Sequence, residues 1–309
     1  MKILIEIPSW LGDTVMVTPV IENLAKYFKR TQITVIGKNI SCEVLKHHPK
    51  VSKTIVLDKK ITALYRISKE VGKFDIFFSF RGSIRSKILS YLIAAERKYQ
   101  FNKRKYSKGH QVEKYNEFIN DSIGSKLNPG KLILNAVEQS KFNSKKILGI
   151  SPGASYGSSK QWYPKEFSEV AIDLSSHYDI IIFGSSNEID FAKDIEKNLV
   201  SNGVMNYKNL VAKTTIKELI SEIQNLDLII TGDSGPMHIA AACQIPTVAI
   251  FGPTNHEETS QWKNYKSSIV KKNLDCQPCM KRECPLKHNN CMRKIQVSDV
   301  LEAVKNLNI

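Results

Sequence analysis

The chain has 309 residues with 42% hydrophobic content, enough for two ordinary domain cores, and its apolar runs, such as Ile180 to Phe183 and Thr247 to Phe251, fall far short of the ~18 residues of a membrane-spanning helix. The formal net charge of +15 is unevenly placed: residues 1–145 hold 27 Lys and Arg against 12 Asp and Glu, whereas residues 146–309 hold 18 of each. Unless it reflects compositional bias alone, the basic half expects a polyanionic partner: nucleic acid, an anionic membrane face or a phosphorylated substrate.

Met1 to Ile7 carries Glu6 inside an apolar run and leads straight into a loop and helix. It therefore reads as a first strand rather than an export signal, and the chain is expected in the cytoplasm. Further strands are predicted at Ile33 to Ile36, Thr54 to Leu57, Phe74 to Phe80 and Lys98 to Phe101. The second half restarts the pattern with Ile147 to Ser151, Asp179 to Phe183, Leu228 to Thr231 and Thr247 to Phe251, again with helical periodicity between. Such alternation predicts an α/β chain of two doubly wound parallel-sheet domains, 1–145 and 146–309. Asn128-Pro129-Gly130 is a turn signal, and Asn135 to Lys146 is polar enough to be a linker. Ligands of open α/β sheets bind beyond the C-terminal strand ends, so two such domains are expected to place a reaction site in the cleft between them.

The strand ends carry the candidate chemistry. Pro8-Ser9-Trp10-Leu11-Gly12-Asp13 follows the first strand, with the helical pattern beginning at Thr14, so Asp13 reads either as an N-cap or as a general base. Arg81 and Arg85, followed by Lys87, can share a helix-terminal face at i, i+4 spacing, suited to phosphate or simply to solvent. Ser151-Pro152-Gly153-Ala154 and the small residues up to Lys160 allow backbone amides close to a diphosphate, with Lys160 as countercharge. Glu188 can accept from ribose hydroxyls or complement a first helical turn. Thr231 to His238 joins a strand to a helix, where Asp233 is either a cap or part of an anion site.

In that order, Pro8 to Met16, then Ser151-Pro152-Gly153-Ala154 with Lys160 and Trp162, then Gly232 to Ala241 and Phe251-Gly252-Pro253-Thr254 closely resemble the ADP-heptose:lipopolysaccharide heptosyltransferases of glycosyltransferase family 9 over nearly the whole chain. The Ser-Trp-Leu-Gly-Asp opening and the segment Cys276 to Met292 look most like the members that add the second core heptose. The resemblance implies a GT-B fold of two Rossmann-like domains facing across a cleft. The N-terminal one would bind heptosyl-Kdo-lipid A and the C-terminal one the donor ADP-L-glycero-β-D-manno-heptose, for an inverting transfer that uses no metal or cofactor. The enzyme would be a monomer at the cytoplasmic face of the inner membrane, in peripheral contact with the anionic leaflet, with no nucleic-acid partner.

Carried over residue by residue, Asp13 would deprotonate the acceptor hydroxyl. Ser151, Gly153, Ala154, Lys160, Glu188, Asp233, Ser234, Gly235, Pro236 and His238 would hold the donor, and Trp10, Arg81, Arg85 and Lys87 would meet the acceptor. Other readings are a family member adding the first or third heptose, a GT-B-like nucleotide-sugar epimerase, or a basic nucleic-acid-binding protein. Against the last, neither an RNP-like aromatic platform nor a helix-turn-helix signature is present. Cys276, Cys279, Cys284 and Cys291 raise a structural zinc site, but the second spacing is irregular for one, and reduced loop thiols are the expectation. Cys42 and Cys243 read as small buried hydrophobes.

Overall fold

A computed structural model describes residues 1–58, 60–135, 145–153 and 156–309. The chain divides into two compact units, Met1–Asn135 and Ala136–Ile309. The boundary expected near residue 145 differs from this division by a stretch, 136–144, that lies outside the described residues.

The first unit runs β1 (Lys2–Glu6), α1 (Leu11–Met16), α2 (Thr18–Tyr27), β2 (Gln32–Gly37), α3 (Asn39–Leu45), β3 (Val51–Val56), α4 (Thr62–Glu70), β4 (Lys73–Ser79), α5 (Ile84–Leu92), β5 (Ala94–Gln100) and α6 (Gln111–Ile123). Its five strands are parallel in the order β3-β2-β1-β4-β5. The central strands are almost continuously apolar because helices cover both faces of the sheet, whereas the edge strand β5 carries Glu96, Arg97 and Lys98 at exposed positions. On one face, Leu4 and Phe77 meet Ala63, Leu64 and Ile67 of α4 and Leu89 of α5 in a shared apolar cluster. α6 starts in a capping box between His110 and Glu113 and stops at Gly124, whose φ of 67° is the left-handed conformation glycine tolerates best.

The second unit runs β6 (Lys146–Ser151), α7 (Pro164–Leu174), β7 (Tyr178–Ile182), α8 (Ile189–Ser201), β8 (Tyr207–Asn209), α9 (Ile216–Gln224), β9 (Leu228–Gly232), α10 (Gly235–Ala242), β10 (Thr247–Phe251), α11 (His256–Thr259), β11 (Ser267–Lys271), α12 (Asn290–Arg293) and α13 (Val297–Lys305). Its six strands are parallel in the order β11-β10-β9-β6-β7-β8. Both sheets therefore show doubly wound connectivity. The order reverses between β1 and β4 in the first unit and between β6 and β9 in the second, the positions where such sheets open a crevice for ligands. The expected strands are present; β8 and β11, both at sheet edges, were not among them.

Candidate active site

The turn after β1 delivers Asp13 to the first of these switch points. Trp10, 51% exposed, is the N-cap of α1, with extended backbone and its carbonyl accepting from Thr14 N at 3.0 Å and Thr14 Oγ1 at 2.9 Å. This corrects the helix start expected at Thr14 and removes the capping alternative: Asp13 lies inside the first turn, where the helix dipole favours a carboxylate. Its Oδ1 accepts a 3.3 Å hydrogen bond from Tyr115 of α6. Tyr115 is buried edge-on against Phe80 and Phe101, with ring centroids at 5.1 and 5.2 Å. Burial, reinforced by the Asp13 charge, pushes the phenol well above its ordinary pKa, so it stays a donor and orients the carboxylate.

Across the switch point, β4 ends at Ser79 and Arg81 follows in the connection to α5. Beneath it Glu6, the last residue of β1 and 1% exposed, accepts from Ser79 Oγ at 2.5 Å and Ser86 Oγ at 2.8 Å, and its Oε1 lies 3.6 Å from Arg81 Nη1. Burial raises the Glu6 carboxyl; the two serine hydrogen bonds and the charges of Arg81 and Arg85 oppose it. The shared helical face expected for Arg81 and Arg85 is not formed. Ser83 is the N-cap, Arg81 precedes the helix, and the Arg85 guanidinium donates to the carbonyls of Asp58 and Lys60. Lys87 is exposed on α5. The charges of both arginines reach Glu6, Arg81 from ahead of α5 and Arg85 from its first turn.

In the second unit, β6 ends at the buried Ser151 and leads through Pro152 to Gly153. A side chain at Gly153 would meet Glu188, with Cδ at 2.9 Å and Cγ at 3.0 Å from the added carbon. Glu188 is buried, and its Oε2 closes a capping box with Ser185, accepting from N at 2.6 Å and Oγ at 2.5 Å. The helix-complementing reading of Glu188 is thus realised, and Oε1 is the oxygen on the Gly153 side, 3.2 Å from that added carbon. Ala154 lies outside the described residues.

Lys160 closes the short 3₁₀ turn Ser158–Lys160. Its ammonium donates to Asp233 O at 3.0 Å and Oδ2 at 2.5 Å and lies 4.8 Å from the Tyr156 ring centroid. Thr254 Oγ1 donates to the same Oδ2 at 2.7 Å. Asp233 is therefore no cap: Ser234 occupies that position, makes no side-chain cap bond and pairs instead with Thr231 Oγ1 at 3.1 Å. Gly235 and Pro236 open α10, where proline's missing N–H costs nothing, and His238 is buried in the next turn. Lys160, Asp233, Ser234, Gly235, Pro236 and Thr254 come together at the β6–β9 switch point, with Ser151, Gly153 and Glu188 beside them at the β6 and β7 ends. Glu6, Tyr115, Tyr156 and Thr254 are contributors to which sequence reasoning assigned no role; a charged residue closing an otherwise apolar central strand was the available signal for Glu6.

All six cysteines are free, and among the described residues no three His, Cys, Asp or Glu side chains are arranged to hold a metal ion. Cys42 is buried, as expected, and Cys243 is partly so. Burial and the neighbouring thiols of Cys279, Cys276 and Cys284 push Cys291 up to about 11.

A cation held by a carboxylate beside a helix N-terminus suits a leaving diphosphate, and an oriented carboxylate at another strand end suits proton abstraction. A family profile described as "Glycosyltransferase family 9 (heptosyltransferase)" matches residues 65–290. The chain belongs to this family. Lipooligosaccharide heptosyltransferase 2 of Campylobacter jejuni is 40% identical, over 99% of this chain and 98% of that protein. Among solved structures, Escherichia coli ADP-heptose lipopolysaccharide heptosyltransferase II superposes with a TM-score of 0.83 at 21% identity, covering 99% of this chain and 98% of that one. A glycosyltransferase family 9 protein from Veillonella parvula superposes with a TM-score of 0.87 at 19% identity, covering 99% and 96%. The family 9 chain thus has the GT-B type of α/β fold and is a glycosyltransferase. Among the described residues no helix is long and apolar enough to cross a membrane.

Proposed function

We propose that this chain transfers L-glycero-D-manno-heptose from ADP-heptose, with inversion and without a metal, to heptosyl-Kdo-lipid A, adding the second heptose of a lipopolysaccharide or lipooligosaccharide inner core. The relatives supply the substrate class; the observation that carries the mechanism is the pair of switch-point sites, the Tyr115-held Asp13 in one unit and the Lys160–Asp233–Thr254 group in the other. Asp13 takes the proton of the acceptor hydroxyl as its oxygen bonds to the anomeric carbon, and the bond from that carbon to the ADP oxygen breaks. Lys160 and the first-turn amides of α10 meet the charge that develops on the departing diphosphate. Gly153 and the buried Glu188 shape the nucleotide side, with Oε1 of Glu188 toward a ribose hydroxyl, while Ser151, Ser234 and His238 line the donor. Trp10 and Arg81 receive the anionic acceptor, with Arg85 and Lys87 adding to the positive field around it rather than converging on it, and the enzyme works as a monomer in the cytoplasm, peripheral to the anionic inner leaflet.

Asp13→Asn keeps an acceptor for the Tyr115 hydroxyl and removes the base. Its melting curve should match wild type while transfer falls by about 10²–10⁴. Turnover within a few-fold of wild type would show that Asp13 is not the base.

A further inference from the structure

α4 and α5 lie side by side on one face of the first sheet, and both bury their apolar stripes in the same cluster, through Ala63, Leu64 and Ile67 and through Leu89. By helical periodicity, the opposite stripes leave the unit in a common direction. They consist of Tyr65 and Lys69 from α4 and Ile84, Lys87 and Tyr91 from α5. Tyr65 is 59% exposed, Ile84 78% and Tyr91 85%, and Ile61 just before α4 is 65% exposed. Lys69 Nζ stands 5.5 Å from the Tyr65 ring centroid. The two helices carry Arg66, Lys69, Arg85 and Lys87 against a single carboxylate, Glu70, which pairs with Arg66 at 3.8 Å.

From this arrangement we infer that the outward α4–α5 surface docks on an anionic lipid bilayer. Exposed aliphatic and tyrosine side chains between lysines match the lipid–water boundary, where the rings sit among headgroups and the cations meet lipid phosphates. A second copy of the same face is disfavoured, because it would set these cations against their own kind. Ile84 and Arg85 open α5 just beyond Arg81, so the docked face lies next to the strand end assigned to the acceptor. The inference deepens the lipid-linked acceptor reading given above.

Sedimentation with phosphatidylcholine vesicles, with and without phosphatidylglycerol, tests it. Wild type should bind only the anionic vesicles, with affinity falling as salt rises. The double variant Ile84→Glu, Tyr91→Gln places glutamate in the first turn of α5, where the helix tolerates it well, and should bind them about tenfold more weakly or worse. Lys69→Glu should lose roughly fivefold or more. Both should keep wild-type kcat on a soluble, deacylated heptosyl-Kdo acceptor. Equal vesicle binding by wild type and the double variant would overturn the inference, as would a wild-type dimer that the double variant abolishes. Failure of wild type to use the soluble acceptor would instead count against the transfer reaction and leave the docking result standing.

Discussion

Lys160 and Arg81 occupy comparable places in the two units, each a cation beside a carboxylate at the point where strand order reverses. In the second unit the cation follows β6 and the carboxylate follows β9; in the first the carboxylate ends β1 and the cation follows β4. Lys160 is pinned, with two hydrogen bonds to Asp233 and 10% of its side chain exposed. Arg81 is 21% exposed, and its approach of 3.6 Å to Glu6 is longer than a hydrogen bond. In the proposed reaction Lys160 meets the same diphosphate at every turnover, and a cation fixed beforehand needs no reorganisation as charge develops. The proposed role of Arg81, receiving a bulky anionic acceptor, instead suits a cation that a buried charge steers and that keeps its freedom to adjust.

The largest effect expected from breaking this contrast lies at Lys160. Lys160→Ala should lower kcat by about 10²–10³ at saturating substrates, the size of loss that follows removal of one preorganised oxyanion-stabilising donor in acyl transfer. Arg81→Ala should act mainly on acceptor KM, by about tenfold, and single-turnover kinetics separate the two. Equal effects of both changes on kcat would erase the distinction.

A smaller and sharper effect is expected at Glu6. Burial raises its carboxyl above the ordinary 4.5, so in that window the folded chain holds the proton more tightly than the unfolded one. The stability this proton contributes is complete below the unfolded value and is lost as pH rises through the raised folded value. Glu6→Gln should therefore gain stability relative to wild type between acid and neutral pH, read from urea midpoints across that range. Its acceptor KM should rise severalfold, since Arg81 loses the charge beneath it. A variant whose stability difference from wild type does not vary with pH would contradict the buried ionisation. Smallest is Gly153→Ala, which must displace a Glu188 side chain held by Ser185; about 1–3 kcal/mol of destabilisation is expected from denaturant titration, together with weaker ADP binding.

Much of this frame was legible from residues alone, because buried parallel strands must be apolar and the small or charged residues that interrupt them fall at ligand-facing ends. Ile147 to Ser151 and Leu228 to Thr231 announced β6 and β9 in this way. What was illegible depends on partners distant in the chain. Tyr115 reaches Asp13 across 102 residues, and Lys160 reaches Asp233 across 73. An aspartate just before a helix looks like a cap, and only the fold reveals that Asp233 turns to Lys160 and Thr254 while Ser234 takes the cap position. β8 has three residues, and β11 is a mostly half-buried edge strand, so neither shows the apolar run that marks the centre of a sheet. The start of α1 is hard to read because Trp10-Leu11-Gly12 lacks the Ser, Thr, Asp or Asn that usually marks a helix opening, so the helical pattern becomes clear only at Thr14.

Mass spectrometry of core acceptors incubated with ADP-heptose tests heptose transfer most directly. Heptosyl-Kdo-lipid A should gain a single heptose with wild type and remain unchanged with Asp13→Asn. Addition to Kdo-lipid A lacking the first heptose, or alteration of ADP-heptose with no acceptor present, would contradict transfer of the second heptose.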